Sequence, residues 1–184
     1  MDLFAAINTR TSAARLTDPV PTAADLSRML AAAVRAPDHG HMAPWRFVII
    51  EKEARARFAN VVAEAHLMRS PDATSEALEA LRQKIRRAPM IILVACVPEI
   101  NHPKIPEIEQ ILAVGAAVQN LLLAAHALGY GAVWKTGPAA YDNHVKASLG
   151  LRSVDHIVAM VHIGSPLAMG PVRPADLKDI VTSL

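Results

Sequence analysis

A single cysteine among 184 residues excludes an internal disulfide. Cys96 lies in the apolar run Met90–Val97, where a small buried core residue is expected. Three Phe, two Trp and two Tyr are too few to build a stacking platform for single-stranded nucleic acid. Neither sign of charge dominates. Nineteen basic and seventeen acidic side chains leave +2, so the pI near 8.9 reflects a small surplus rather than a nucleic-acid footprint. The most hydrophobic span, Ile111 to Leu128, is interrupted by Gln119 and Asn120 and carries His126. Such groups cost several kcal/mol in lipid unless satisfied, so a helix buried in a core or dimer interface is expected. Met1 to Asn8 lacks a basic start and a long apolar core, and the expectation is a cytoplasmic chain without a signal peptide. Phosphate-binding glycine motifs are missing too, since Gly129-Tyr130-Gly131 lacks the spacing that must follow. Ser165 stands between Gly164 and Pro166, outside a nucleophile elbow, which leaves a hydrolase little support. His39-Gly40-His41 has no Cys pair and no His-x-x-x-His beside it, so no metal is expected.

What is present is a globular composition, 52% apolar and 20% charged, long enough for one domain over residues 1–184. Asp2 caps a short helix through Ile7, and Thr22 with Asp25 opens another to about Arg35. Strands are expected at Phe47–Ile50, Met90–Val97, Tyr130–Thr136 and His156–Ile163, the last ended by Gly164 and Pro166. Helices are expected from Glu53 to about Met68, from Ser75, from Ile111 to Gly129, and after Asp142 or Asn143. The second of these ends in Lys84, Arg86 and Arg87, which suits the helix dipole. Four core strands interleaved with five or six helices, the strands continuously apolar, imply a sheet covered on both faces. The class is α+β or α/β in three layers, and strand order does not follow from the pattern.

The stretch Arg35 to Ile50 organises the chain. Pro37 and Pro44 push the residues before them out of the helical region, and Gly40 permits a turn. A stiff loop therefore carries Arg35, Asp38, His39 and His41 between two packed elements, either as a binding loop or as a connector anchored by Trp45. Arg10-Thr11-Ser12 with Arg15 could hold a phosphate through charge-assisted bonds, or could be a solvated arginine pair. Trp134-Lys135-Thr136 sets an aromatic, a cation and a hydroxyl at a strand end, where a cation can stabilise negative charge on a bound ring.

Taken in order, Arg10-Thr11-Ser12 with Arg15, Arg35-Ala-Pro-Asp-His39, Met42, Pro44-Trp45, Ile108-Glu109, Ala124–Gly131 and Trp134-Lys135-Thr136 resemble the nitroreductase family of flavin enzymes, in particular its short YdjA-like branch. The resemblance spans nearly the whole chain. It implies an α+β three-layer α/β/α sandwich, an intertwined homodimer, and FMN at the interface with NAD(P)H as co-substrate. Arg10, Thr11 and Ser12 would bind the phosphate and ribityl end. Arg35 and His39 would come from the partner subunit, and Trp134, Lys135 and Thr136 would lie beside the ring. The segment Ala124, Ala125, His126, Ala127, Leu128 and Gly129 matches a stretch associated with nicotinamide nucleotides, and reads equally as a buried helix end. No catalytic side chain is implied, because flavin carries the hydride chemistry. Nitroaromatic or quinone acceptors are the expectation. A flavin-binding carrier or sensor without turnover would use the same residues.

Overall fold

A computed structural model describes every residue except Asp179 and Leu184. The elements are α1 (Leu3–Thr9), β1 (Ala13–Thr17), α2 (Ala23–Ala33), a 3-10 turn (His39–His41), β2 (Trp45–Glu51), α3 (Glu53–Arg69), α4 (Ser75–Arg86), β3 (Met90–Cys96), α5 (Glu107–Ala127), β4 (Gly131–Lys135), α6 (Pro138–Tyr141), α7 (Asn143–Ser148) and β5 (His156–Met169). Local chemistry sets several ends. Asp2 accepts from Ala5 N, Thr22 from Asp25 N, and Asp142 from His144 N and Val145 N, each filling an orphan donor of a first turn. Gly129 follows α5 with φ +85°, the left-handed geometry that favours glycine at a helix end.

The sheet runs β1-β5-β3-β2 with β4 also paired to β5, and all pairings are antiparallel. All seven residues of β3 are buried, because both faces are covered. Met90, Ile92, Val94 and Cys96 face a core built with α2 and α5. Ile91, Leu93 and Ala95 face a second core with α3, α4, α6 and α7. Each large side chain so buried contributes about 1.5–3 kcal/mol against exposure. The three-layer α+β expectation holds, and the continuous apolar run was its signal. Burial also pushes the Cys96 thiol up to about 12, so it remains an apolar filler.

Helix α5 is long and apolar enough to cross a membrane by length and composition. Here its Val114, Ala117, Val118, Leu121 and Ala125 pack on the sheet. Asn120 Nδ2 donates to Ala32 O at 3.2 Å, tying α5 to α2, and Gln119 faces out.

Two expectations about the strands need correction. Ala13–Thr17, for which no strand is expected, is a strand, which makes five among the described residues. Gly164 and Pro166 do not end the last strand, which continues to Met169. The reason is close approach. A Cβ on Gly164 would meet Pro89 Cγ at 2.4 Å and Thr17 O at 2.7 Å, so glycine is what lets β1 lie against β5.

Candidate functional site

Strand β1 opens the site. Ala13, Arg15, Leu16 and Thr17 pair with Met169, Ala168, Pro166 and Ser165 of β5. Gly131 of β4 makes room for this layer: a Cβ there would lie within 3.0 Å of Leu16, Pro166 and Ala13 side chains. Between β1, α4, β4 and β5 runs a groove of about 510 Å³, whose lining includes Arg15, Lys84, Arg87, Val133, Lys135 and His162. That volume falls within the range of small-molecule and cofactor sites, about 300–1,000 Å³. Its apolar walls are Ala13, Leu16, Ala80, Ala88, Val133 and Leu167.

At the N-terminal end of β1, Arg10, Thr11 and Ser12 line a second, open cavity of about 880 Å³ against residues 170–175. Gly170 N donates to Ser12 O at 3.1 Å, which holds the chain there. Thr136 lines a smaller cavity behind the groove together with Lys84, Lys135 and His162.

The electrostatics are one-sided. No Asp or Glu lines any of these three cavities. Arg28, Arg69, Arg82, Arg86 and Arg152 all have carboxylate partners. Among the described residues, Arg10, Arg15, Lys84, Arg87 and Lys135 have none. Burial, with Lys84 and Arg87 as like charges nearby, holds the Lys135 ammonium below the usual lysine range. His162, 4% exposed, is pushed down to about 4 by burial and then by Lys135 and Lys84. Cations gathered without counter-charge repel one another, and an anionic ligand relieves that cost.

Arg10, Thr11 and Ser12 line one cavity, Lys135 lines the groove, and Thr136 lines the smaller cavity together with Lys135. Trp134 lies elsewhere. Alternation along β4 puts its side chain on the face opposite Lys135, where Nε1 donates to Val158 O at 3.0 Å. Arg35 and His39 belong to the α2–α5 layer. Arg35 is exposed, and His39 Nδ1 sits 2.6 Å from Glu109 Oε2 on α5.

Their loop is held as its prolines and glycine imply. Ala43 N donates to Asp38 Oδ2 at 2.6 Å. Gly40 has φ +70°, and a Cβ there would strike Ile105 Cδ1 at 2.3 Å. Residues Ala124–Gly129 form the end of α5 and its cap, with Ala125 fully buried and His126 Nε2 at 2.8 Å from Thr9 Oγ1. Among the described residues no three His, Cys, Asp or Glu side chains gather as metal ligands.

Lys84, Arg87 and His162 are missing from the expected site. Ala80, Lys84 and Arg87 follow one another at i, i+4 and i+7 on α4, a single stripe that faces the groove. That spacing was a usable signal, whereas the dipole argument explained Lys84 and Arg87 by the helix end alone.

An α+β sandwich with a cationic, apolar-walled groove defines a class, that of proteins holding a flat anionic ligand beside a central sheet. The comparisons narrow it. The sequence model of the nitroreductase family matches residues 7–165. YdjA of Escherichia coli K12, provisionally named an NAD(P)H nitroreductase, is 38% identical over 166 residues, covering 90% of this chain and 89% of that protein. A protein of Haemophilus influenzae with the same provisional name is 35% identical, with 100% of each chain covered. Among solved structures, a provisionally named nitroreductase of Desulfovibrio desulfuricans in complex with FMN is 26% identical. It aligns with TM-score 0.77 over 100% of this chain and 97% of that one. A nitroreductase-like family protein of Bacillus cereus, 24% identical, shares the fold with TM-score 0.84 over 100% and 96%. The chain belongs to the nitroreductase family.

Proposed function

We propose that this protein is an FMN-dependent oxidoreductase that takes electrons from NAD(P)H and passes them to nitroaromatic or quinone-like acceptors. The observation that carries this reading is the groove lined by Arg15, Lys84, Arg87 and Lys135 without a carboxylate, with Arg10, Thr11 and Ser12 lining a second cavity at the N-terminal end of β1. Its donor set suits FMN: apolar walls for a flat ring, ammonium groups for the ring edge that becomes negative, and an arginine with two hydroxyls for the phosphate. FMN, when bound, supplies the hydride acceptor and donor chemistry. The chain binds and orients it, and Lys135 and Lys84 favour the anionic reduced form. The names of the Escherichia coli and Haemophilus influenzae relatives support NAD(P)H as the reductant.

The whole chain acts as one nitroreductase-like unit and works as a cytoplasmic homodimer. Arg35 and His39, remote from the groove of their own chain, serve the groove of the neighbour. Apolar residues left exposed on α1 (Leu3, Phe4, Ile7), on α5 (Ile108, Leu112) and in the segment after β5 (Val172, Leu177) support a second copy covering them. Trp134, on the far face of β4, flanks the ring only from that second copy. The Ala124–Gly129 helix end remains our candidate for nicotinamide nucleotide contact.

The test is direct. Purified protein should be yellow and release FMN on denaturation. Its visible absorbance should bleach with NADH or NADPH under anaerobic conditions and return when a nitro compound is added. A protein that binds FMN but fails to bleach would be a carrier or sensor, and one that binds no flavin would overturn the reading.

A further inference from the structure

Behind the flavin groove lies a smaller cavity enclosed by α3, α4, α6, β4 and β5, of about 110 Å³. Its size excludes a ring-sized ligand, since ordinary ligand pockets start near 300 Å³. It is nonetheless several times the roughly 10–15 Å³ that a single water needs by the same kind of measure. Its polar lining is His66, Arg69, Lys84, Lys135, Thr136 and His162, all donors or cations, and no carboxylate is among them. The remaining walls are apolar, including Val62, Ile85 and Met160.

His162 makes this a built site. It is 4% exposed on a central strand, and its ring makes no hydrogen bond to a described residue. No buried side-chain polar atom is sealed without a partner, so its nitrogens open onto the cavities it lines. An imidazole whose nitrogens reach only these cavities takes its hydrogen bonds from whatever fills them. Arg69 is already engaged by Asp142, which fixes it as a wall. His66 and Thr136 make no side-chain hydrogen bond to a described residue, and Lys84 and Lys135 stand between this cavity and the groove.

We propose that this cavity binds a small inorganic oxyanion, of the size and charge of phosphate or sulfate, at a site separate from the phosphate end at Arg10, Thr11 and Ser12. Lys84 and Lys135 supply charge, and the Thr136 hydroxyl and the ring N–H groups of His66 and His162 supply directional donors. This site does not depend on flavin chemistry.

The test is calorimetric titration of the protein as purified, with sodium phosphate against sodium chloride at matched ionic strength and pH 7.5. One saturable phosphate site per chain is expected, with chloride giving none and benzoate, too large for the cavity, failing to compete. His162→Leu and His66→Leu should each weaken phosphate binding at least tenfold, while Arg10→Ala should retain it. His162→Gln, which keeps a donor, should recover part of the affinity and covers the case in which the leucine variant does not fold. Absence of saturable binding, unchanged affinity in His66→Leu, or loss of binding in Arg10→Ala would each overturn the proposal. The last result would assign the phosphate to the flavin-phosphate end.

Discussion

The buried histidine behind the groove makes acid stability a quantitative test of the site's electrostatics. His162 is 4% exposed, and its ordinary value of 6.5 falls to about 4 in the folded protein. The first cause is burial, which penalises the imidazolium, and the second is the charge of Lys135 and Lys84. Arg69 and His66 line the same cavity, and no carboxylate faces His162 from it. With a depressed folded value, the unfolded chain binds the proton first. Stability from this group is therefore full above the unfolded value and falls as pH drops from about 6.5 toward about 4. Linkage over that interval gives a loss of about 2.5 kcal/mol between pH 7.5 and pH 4.5. The assay is urea denaturation of wild type and His162→Gln across this range, in chloride with amine buffers such as piperazine so that no oxyanion occupies the cavity. All other ionisable groups are common to both proteins, so the difference between the two curves isolates this residue. The variant should start less stable and then lose about 2.5 kcal/mol less than wild type on acidification. Parallel curves would refute the reasoning, for they would mean that the folded protein accepts the proton on His162 as readily as water does.

The other predictions concern the flavin. Arg10→Ala should weaken FMN binding about ten- to a hundredfold, from the roughly 1.5–3 kcal/mol of a charged hydrogen bond; fluorescence titration with unchanged affinity would remove Arg10 from the site. Lys135→Met should lower the reduction potential of bound flavin, because an ammonium near the ring favours its anionic reduced form, and a potential equal to wild type would leave Lys135 only a backbone role. Co-refolding Arg10→Ala chains with His39→Ala chains should restore partial flavin binding in hybrids, where one site regains both residues. Hybrids that form and bind no flavin would contradict a shared site.

Much of the architecture was legible because it is encoded locally. Caps at Asp2, Thr22 and Asp142 depend on one side chain reaching the next turn, and the run Met90–Cys96 admits no exposed face. What was not legible depends on approach between distant segments. Ala13–Thr17 has no apolar alternation and becomes a strand only because Ser165–Met169 passes beside it. Gly164, a strand terminator by composition, is instead the place where that passage is tightest. Its missing Cβ is a packing requirement, and a single sequence shows a packing requirement and a turn with the same letter.

The site divides along the same line. Arg10, Thr11 and Ser12 are contiguous and were readable as a unit. Lys84, Arg87 and His162 reach the groove from α4 and β5, and their meaning lies in what fails to accompany them. Arg86 and Arg82 both reach Glu79, while Lys84 and Arg87, one turn around the same helix, meet no carboxylate. The sequence counts nineteen basic against seventeen acidic residues, a near balance that conceals this sorting. Among the described residues, four cations without a carboxylate partner, Arg15, Lys84, Arg87 and Lys135, line one groove. Lys135 offers a point charge rather than a bidentate fork. Three further cations on neighbouring elements keep the field positive without it, so the charge that matters to an anionic ring is a property of the groove rather than of one residue.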